Sequence, residues 1–423
     1  MPKRARDNSE LRFADIASVN PRTPLNGLDP DAPVSFIPMA DVDDGGRWVT
    51  RQTRPLREVK TGYSPFADGD ILFAKITPCT ENGKGCHARD LVNGVGFGST
   101  EFHVLRAKKG TDPRLVFHLA QSSDVRWKAA AVMDGSAGQQ RVPADFFKIC
   151  RIAPDILDNQ DAKCDLFDAV DAAIDATRGV IEQTRRLKTA VLQDLLTRGL
   201  PGRHSEFREV KGLGHVPRAW KPTRLKRVTT RITDGVHASV KTVDDGVPFL
   251  YVSCVRDGRV LWDDAARITQ KTYAEISRGR EPVAGGVLYT AVGSYGHAAV
   301  LDDDRAFSFQ RHIAYLVPDP SKLDPHFLAL WLNSERGRRQ ADRVALGNAQ
   351  KTITLGELNA WEIPLPKLDE QQDLVAVVRS IDGRIAADTS HLLRLGRAKT
   401  ALNQALLTGR VRVPTAKGVP VAS

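Results

Sequence analysis

The sequence predicts an α+β protein in which two similar domains alternate with two long helices that pair as an antiparallel coiled coil. Three observations predict it. The chain resembles itself at a shift of about 211 residues. Each copy ends in a long run of apolar residues spaced alternately three and four apart. The remainder of each copy breaks into short β-like runs punctuated by glycine and proline.

Taken in order, residues 1–153 form the first domain, with strands read at Val34–Met39, Ile71–Ile76 and Phe102–Leu105. Asp112-Pro113 opens an apolar helix-like run, Leu115–Leu119, and Gly138–Val142 is a polar loop. Residues 154–200 form the first long helix, ended by Gly199-Leu200-Pro201-Gly202-Arg203. Residues 201–364 repeat the pattern. Val247–Val252, Val287–Val292 and Ile313–Val317 are strands, Asp324-Pro325 precedes the run Phe327–Leu332, and Ala349–Ile353 matches the polar loop. Residues 365–413 form the second long helix and 414–423 a flexible tail. The duplication is clearest where Lys188–Thr197 meets Lys399–Thr408, and Gly69–Ala74 aligns with Gly285–Thr290. Two copies of a domain explain so long a period; solenoid repeats are far shorter.

The helix stripes define a seam. In the first helix Phe167, Val170, Ile174, Thr177, Ile181, Thr184, Lys188, Val191 and Leu195 share one face. In the second, Val378, Ile381, Ile385, Asp388, Leu392, Leu395, Lys399, Leu402 and Leu406 do so in the same register. A 3-4 repeat of this length keeps one narrow face toward a partner helix. Polar residues interrupt both stripes at matching places, Thr177 against Asp388 and Lys188 against Lys399, as register-setting positions do. Each helix of about 38 residues would span roughly 55–60 Å.

Composition narrows the function. With 41% hydrophobic and 26% charged residues the chain is globular rather than disordered, and no apolar run approaches the length of a membrane span. The charged start, Met1–Asn8, lacks the apolar segment of a secretory signal, so a cytoplasmic protein is expected. Five scattered cysteines without a C-x-x-C pair argue against disulfides and a zinc ribbon; Cys79, Cys86 and His87 lack a fourth metal ligand. A net charge of +10 favours a polyanionic partner without establishing one.

Catalytic motifs leave little trace. Around Asn82–Gly85 the glycine and hydroxyl positions of a phosphate loop are filled by Pro78 and Gly85. Gly94–Gly98 is followed by a strand-like run rather than the helix of a dinucleotide site. No adjacent prolines exist to build a methyltransferase base-gripping tetrapeptide. Pro154-Asp155 with Asp161 and Lys163 formally resembles a metal-dependent nuclease motif, but acidic residues are expected at a helix start, and Lys367 replaces Asp155 in the second copy.

Several stretches carry a family likeness. Ile363–Gln372 resembles the proline-rich approach to the second spacer helix of the specificity (S) subunits of Type I restriction-modification enzymes, and Lys399–Gly409 resembles that helix's end. Gly214–Leu225 is similar to the start of the family's second target recognition domain, and Gly347–Ile353 to its glutamine-containing loop. Ile152–Gln160 departs from the pattern as a degraded first copy. The resemblance covers nearly the whole chain. It implies a non-catalytic subunit that binds no cofactor and reads a bipartite, asymmetric DNA target, one part per target recognition domain. It also implies recruitment of two modification (adenine methyltransferase) subunits and of restriction (nuclease/translocase) subunits, with S-adenosylmethionine, ATP and Mg belonging to those partners. Two domains related by an approximate two-fold could meet successive major grooves about 34–36 Å apart.

Side-chain chemistry selects the candidate DNA contacts. Glutamine can pair with adenine, and arginine or lysine with guanine. Lys75 and Thr77 follow a predicted strand, and Ser294 and Tyr295 stand in the matching place of the repeat; Gln139, Gln140 and Arg141 lie in one polar loop and Gln350, Lys351 and Thr352 in its repeat; Arg311 and His312 flank a further strand. Trp48, Trp127, Trp262 and Trp331 are expected in cores. For the helix partners the expected contacts are Val170, Ile174, Ile181, Val191, Leu195, Ile381, Ile385, Leu392, Leu395, Leu402 and Leu406. Two other classes predict different behaviour: an enzyme would act in isolation, and a scaffold without DNA binding would lack basic loops.

Overall fold

The computed structural model describes residues 11–25, 27–136, 138–256, 258–345 and 351–411. The flexible tail expected at 414–423 and the start Met1–Asn8 lie outside them. The chain divides into two compact units, one drawn from residues 1–179 and 390–423, the other from 180–389. Each takes part of both long helices, so the units cut across the chain-order division.

In the first unit a four-stranded antiparallel sheet runs in the order Ala17–Val19, Phe102–Ala107, Ile71–Ala74, Gly85–His87. Ile71–Ala74 is an unbroken apolar run because both of its faces are buried. A second sheet orders Gln52–Pro55, Pro33–Ile37, Val95–Gly98 and Ser64–Ala67, with its middle pair parallel. There Gly96 and Gly98 serve strand packing. A Cβ on Gly96 would lie 2.1 Å from the Phe66 ring, and one on Gly98 2.5 Å from the Ile37 carbonyl oxygen. The glycine run is therefore a close sheet contact and not a phosphate turn.

The second unit repeats this plan. Thr229–Asp234, Ile313–Pro318, Val287–Thr290 and Ala298–Val300 form the antiparallel sheet in the equivalent order. Ala266–Ile268, Val247–Leu250 and Ser308–Phe309 form the second, again with a parallel pair. The short helices also repeat. Pro113–Gln121 and Pro325–Asn333 each begin with proline after an aspartate whose side chain accepts backbone N–H groups.

The long helices span Gln160–Arg198 and Leu368–Leu407. At 39 and 40 residues they match the expected length and start inside the segments 154–200 and 365–413. Asn159, with φ of 51°, breaks the backbone before Gln160. Glu362–Leu365 is instead a strand paired with Lys221–Arg224, which delays the second helix. Gly199, with φ of 74°, ends the first. Within the first unit Cys164 and Phe167 share a core with Leu406 and Leu407; within the second, Val375 and Val378 share one with Leu195 and Leu196. The helices are antiparallel in both. Every seam residue expected above is buried or half-buried. The two seam lysines find acids across the pair: Lys399 Nζ lies 2.5 Å from Asp171, and Lys188 Nζ 2.6 Å from Asp382.

A glutamine near the start of each helix joins it to its own unit. Gln160 accepts the Asp112 N–H at 2.8 Å and donates to the Gly110 carbonyl; Gln371 accepts the Asp324 N–H at 2.8 Å and donates to the carbonyls of Lys322 and Pro366. Lys163, one member of the nuclease-like pattern, is buried and donates to the carbonyls of Asp155 and Ile156. That contact closes the turns ahead of the helix.

One expectation about aromatics fails. Trp331 is buried and Trp48 and Trp262 are half-buried, but Trp127 is 73% exposed. Its helix, Ser123–Ala130, buries Val125, Arg126 and Ala129, which turns Trp127 outward.

Burial also sets a pH dependence. His87 accepts a hydrogen bond at Nδ1 from Arg89 and is pushed down to about 4 by burial and then by that arginine's charge. His103 and His118 are lowered for the same first reason. The unfolded chain binds protons near pH 6.5, before these buried rings do. Stability is therefore full above about pH 6.5 and is lost as pH falls toward about 4. Melting of the first unit is expected to drop between pH 7 and 5, with a shallower slope in His87→Asn; equal slopes would contradict it.

Candidate nucleic-acid interface

The polar loop of the first unit is held against the end of a strand. Ile76 and Asp134 both bridge to Arg141. The Val142 N–H donates to the Lys75 carbonyl at 2.8 Å, the Thr77 N–H to the Gln140 carbonyl at 3.0 Å, and the Lys75 N–H to the Glu101 carbonyl at 2.9 Å. Lys75, Thr77, Gln139, Gln140 and Arg141, chosen separately from the sequence, are thus brought together.

The second unit repeats one of these bridges and all three hydrogen bonds. Val292 bridges to Thr352; the Ile353 N–H donates to the Ala291 carbonyl at 2.8 Å, the Gly293 N–H to the Lys351 carbonyl at 3.1 Å, and the Ala291 N–H to the His312 carbonyl at 2.9 Å. Lys351, Thr352, Arg311 and His312 gather here, while Gln350 lies outside the described residues. The frame corrects one equivalence: Lys75 corresponds to Ala291 and Thr77 to Gly293. Ser294 and Tyr295 lie just beyond; Ser294 is exposed, and the Tyr295 hydroxyl donates to Asp342 at 2.6 Å.

The frames match while their side chains differ. In the first, Arg141 donates through Nε and Nη2 to the Glu101 carboxylate at 2.8–3.2 Å. That hydrogen bond holds the Glu101 carboxyl below the ordinary carboxylate range. In the second, His312 and Thr352 occupy the equivalent positions. Together with Asp234, His237, Arg311 and Thr354 they line a concavity of about 370 Å³. Burial, then the Arg311 charge, lowers the proton affinity of His312.

Two contributors were missed in the sequence. Glu101 lies 40 residues from Arg141, and no local pattern couples them. Arg126 is buried and donates to the carbonyls of Thr80, Gly83 and Lys84, thereby bracing the turn after Thr77. Among the described residues no cluster of histidine, cysteine and acidic groups could hold a metal. Burial pushes the Cys86 thiol up to about 12, so it fits a packing role. No described helix is long and apolar enough to cross a membrane.

Residues 258–393 match the Type I restriction modification DNA specificity domain. Over 142 residues, 33% of its length, the chain is 37% identical to the Type I restriction enzyme EcoEI specificity subunit of Escherichia coli. That alignment spans only 23% of the relative. The MjaVIII specificity subunit of Methanocaldococcus jannaschii is 23% identical over 281 residues, 65% of each chain. In fold, the chain is similar to one from a study of complex assembly and conformational transition of the type I R-M system. That likeness has a TM-score of 0.61 at 20% identity, over 95% of this chain and 97% of the other. A Type I restriction-modification S subunit from M. genitalium gives 0.53 at 11% identity, over 95% and 98%.

Proposed function

We propose that the chain is a specificity subunit of the Type I restriction-modification family and that it reads a bipartite, asymmetric DNA target, one half per unit. The repeated hydrogen-bond frame carrying unlike side chains supports this reading most directly. Equal backbones would present their loops to DNA in the same way, and unlike side chains would select different bases. Lys75, Thr77, Gln139, Gln140 and Arg141 serve one half; Ser294, Tyr295, Arg311, His312, Gln350, Lys351 and Thr352 serve the other.

The chemistry on DNA falls to partners in this proposal. The paired helices recruit two methyltransferase subunits that bring S-adenosylmethionine, and restriction subunits that bring ATP and Mg; this chain binds no cofactor and works in the cytoplasm. Co-expression with a methyltransferase subunit, followed by long-read mapping of methylated adenine on a plasmid, tests the reading. A single split motif with unlike halves is expected. A stable complex that methylates a symmetric or continuous motif would refute it.

A further inference from the structure

The Arg141 guanidinium is held in a way that a surface ion pair does not require. Its Nε and Nη2 donate side-on to Glu101, while Nη1 donates to the Gln139 carbonyl at 3.1 Å. Arginine carries five N–H donors, one on Nε and two on each terminal nitrogen. Three are engaged, leaving one on each terminal nitrogen, and the side chain keeps 42% of its exposure. The backbone beneath is fixed as well: Arg141 exchanges both backbone hydrogen bonds with Asp134, at 2.8 and 3.0 Å.

The guanidinium is a rigid plane, and a pair of its N–H donors matches the O6 and N7 acceptors that guanine presents in the major groove. We infer that Glu101 is a positioning residue that presents Arg141 as a guanine-reading fork to the half-site addressed by the first unit. Glu101 orients the guanidinium before DNA arrives, so its rotamer freedom is already spent. Among the described residues the second unit shows no counterpart. Thr352 and His312 stand in the equivalent positions, and a threonine hydroxyl cannot supply two N–H donors. A guanine is therefore fixed in the first unit's half-site by a device not seen among the described residues of the second unit.

This inference rests on the DNA-reading proposal, and its test separates the two. The full chain, assembled with its methyltransferase subunit, would select duplexes from a randomised pool. Wild type would be compared with Glu101→Gln, Glu101→Ala and Arg141→Lys, each first matched to it by thermal melting. Lysine keeps the charge for a phosphate and loses the fork. The expected result is a loss of roughly tenfold or more in discrimination at one guanine position in all three variants, with the other positions unchanged within about twofold. A wild-type split motif that survives all three variants unaltered overturns the inference and leaves the function standing. Uniform weakening across sequences in Arg141→Lys, with preference intact, also overturns it, by making Arg141 a phosphate contact. A wild-type complex that selects no split motif removes the DNA-reading proposal and this inference with it.

Discussion

Replacing Lys75, Arg141, Arg311 and Lys351 together by alanine is expected to weaken target binding by the assembled complex at least about a hundredfold near 150 mM salt. Two of these cations come from each frame, so neither half-site keeps its charge. Each phosphate deprived of its cation should flatten the dependence of log affinity on log salt by about 0.9. If all four met phosphates, the slope would fall by nearly four; with Arg141 on a base, it would fall by about three. Anisotropy titrations between about 50 and 200 mM salt on one cognate duplex give both numbers. Affinity within about threefold of wild type would show that the interface lies elsewhere.

Arg126→Met is expected to destabilise the first unit by about 2–4 kcal/mol. Arg126 is 6% exposed, sits 3.9 Å over the Phe73 ring and has no carboxylate partner among the described residues. Burial alone lowers its proton affinity, and the three carbonyls it serves balance that burial. Methionine fills similar space and abandons the carbonyls of Thr80, Gly83 and Lys84. Buried acceptors left unpaired are the costly outcome of such a change. The turn they belong to follows Lys75 and Thr77, so DNA affinity should fall as well. Hydrogen exchange across residues 75–84, alongside thermal melting, would detect both. An unchanged melt with unchanged exchange would show that water replaces the guanidinium at little cost.

The parts of the fold that were legible from sequence are those written as periods. A stripe at spacings of three and four falls on buried or half-buried positions because a helix repeats its face every 3.6 residues, whatever it packs against. Strands such as Ile71–Ala74 were legible as apolar runs bounded by turn residues. Helix ends were less so. Asn159 in a left-handed conformation and the pairing of Glu362–Leu365 with Lys221–Arg224 are consequences of three-dimensional context. Trp127 was misread for a related reason: hydrophobicity says what a side chain favours, while the helix face it occupies says where it goes.

Of the candidate site, the loop and strand residues were legible because the repeat displays them twice. Register was not fully so, since Ser294 and Tyr295 were set opposite Lys75 and Thr77 although Ala291 and Gly293 take those places. Glu101 and Arg126 act across long chain separations on groups that carry no motif. Gln160 and Gln371 stood in the repeat all along, but only their hydrogen bonds give them a role.

The two seam ion pairs bear on the chain's ancestry. Shifted by 211 residues, Asp171 falls on Asp382 and Lys188 on Lys399. Each copy therefore owns one acid and one base at the two places where the pairing needs them. Two identical copies of the first helix laid head to tail would bring Asp171 to Lys188 twice, with no help from the second. The seam is self-complementary in the sense of a symmetric dimer interface. A chain half this long, paired with a second copy of itself, would carry the complete set of these contacts, so either copy can change elsewhere while the grip is kept.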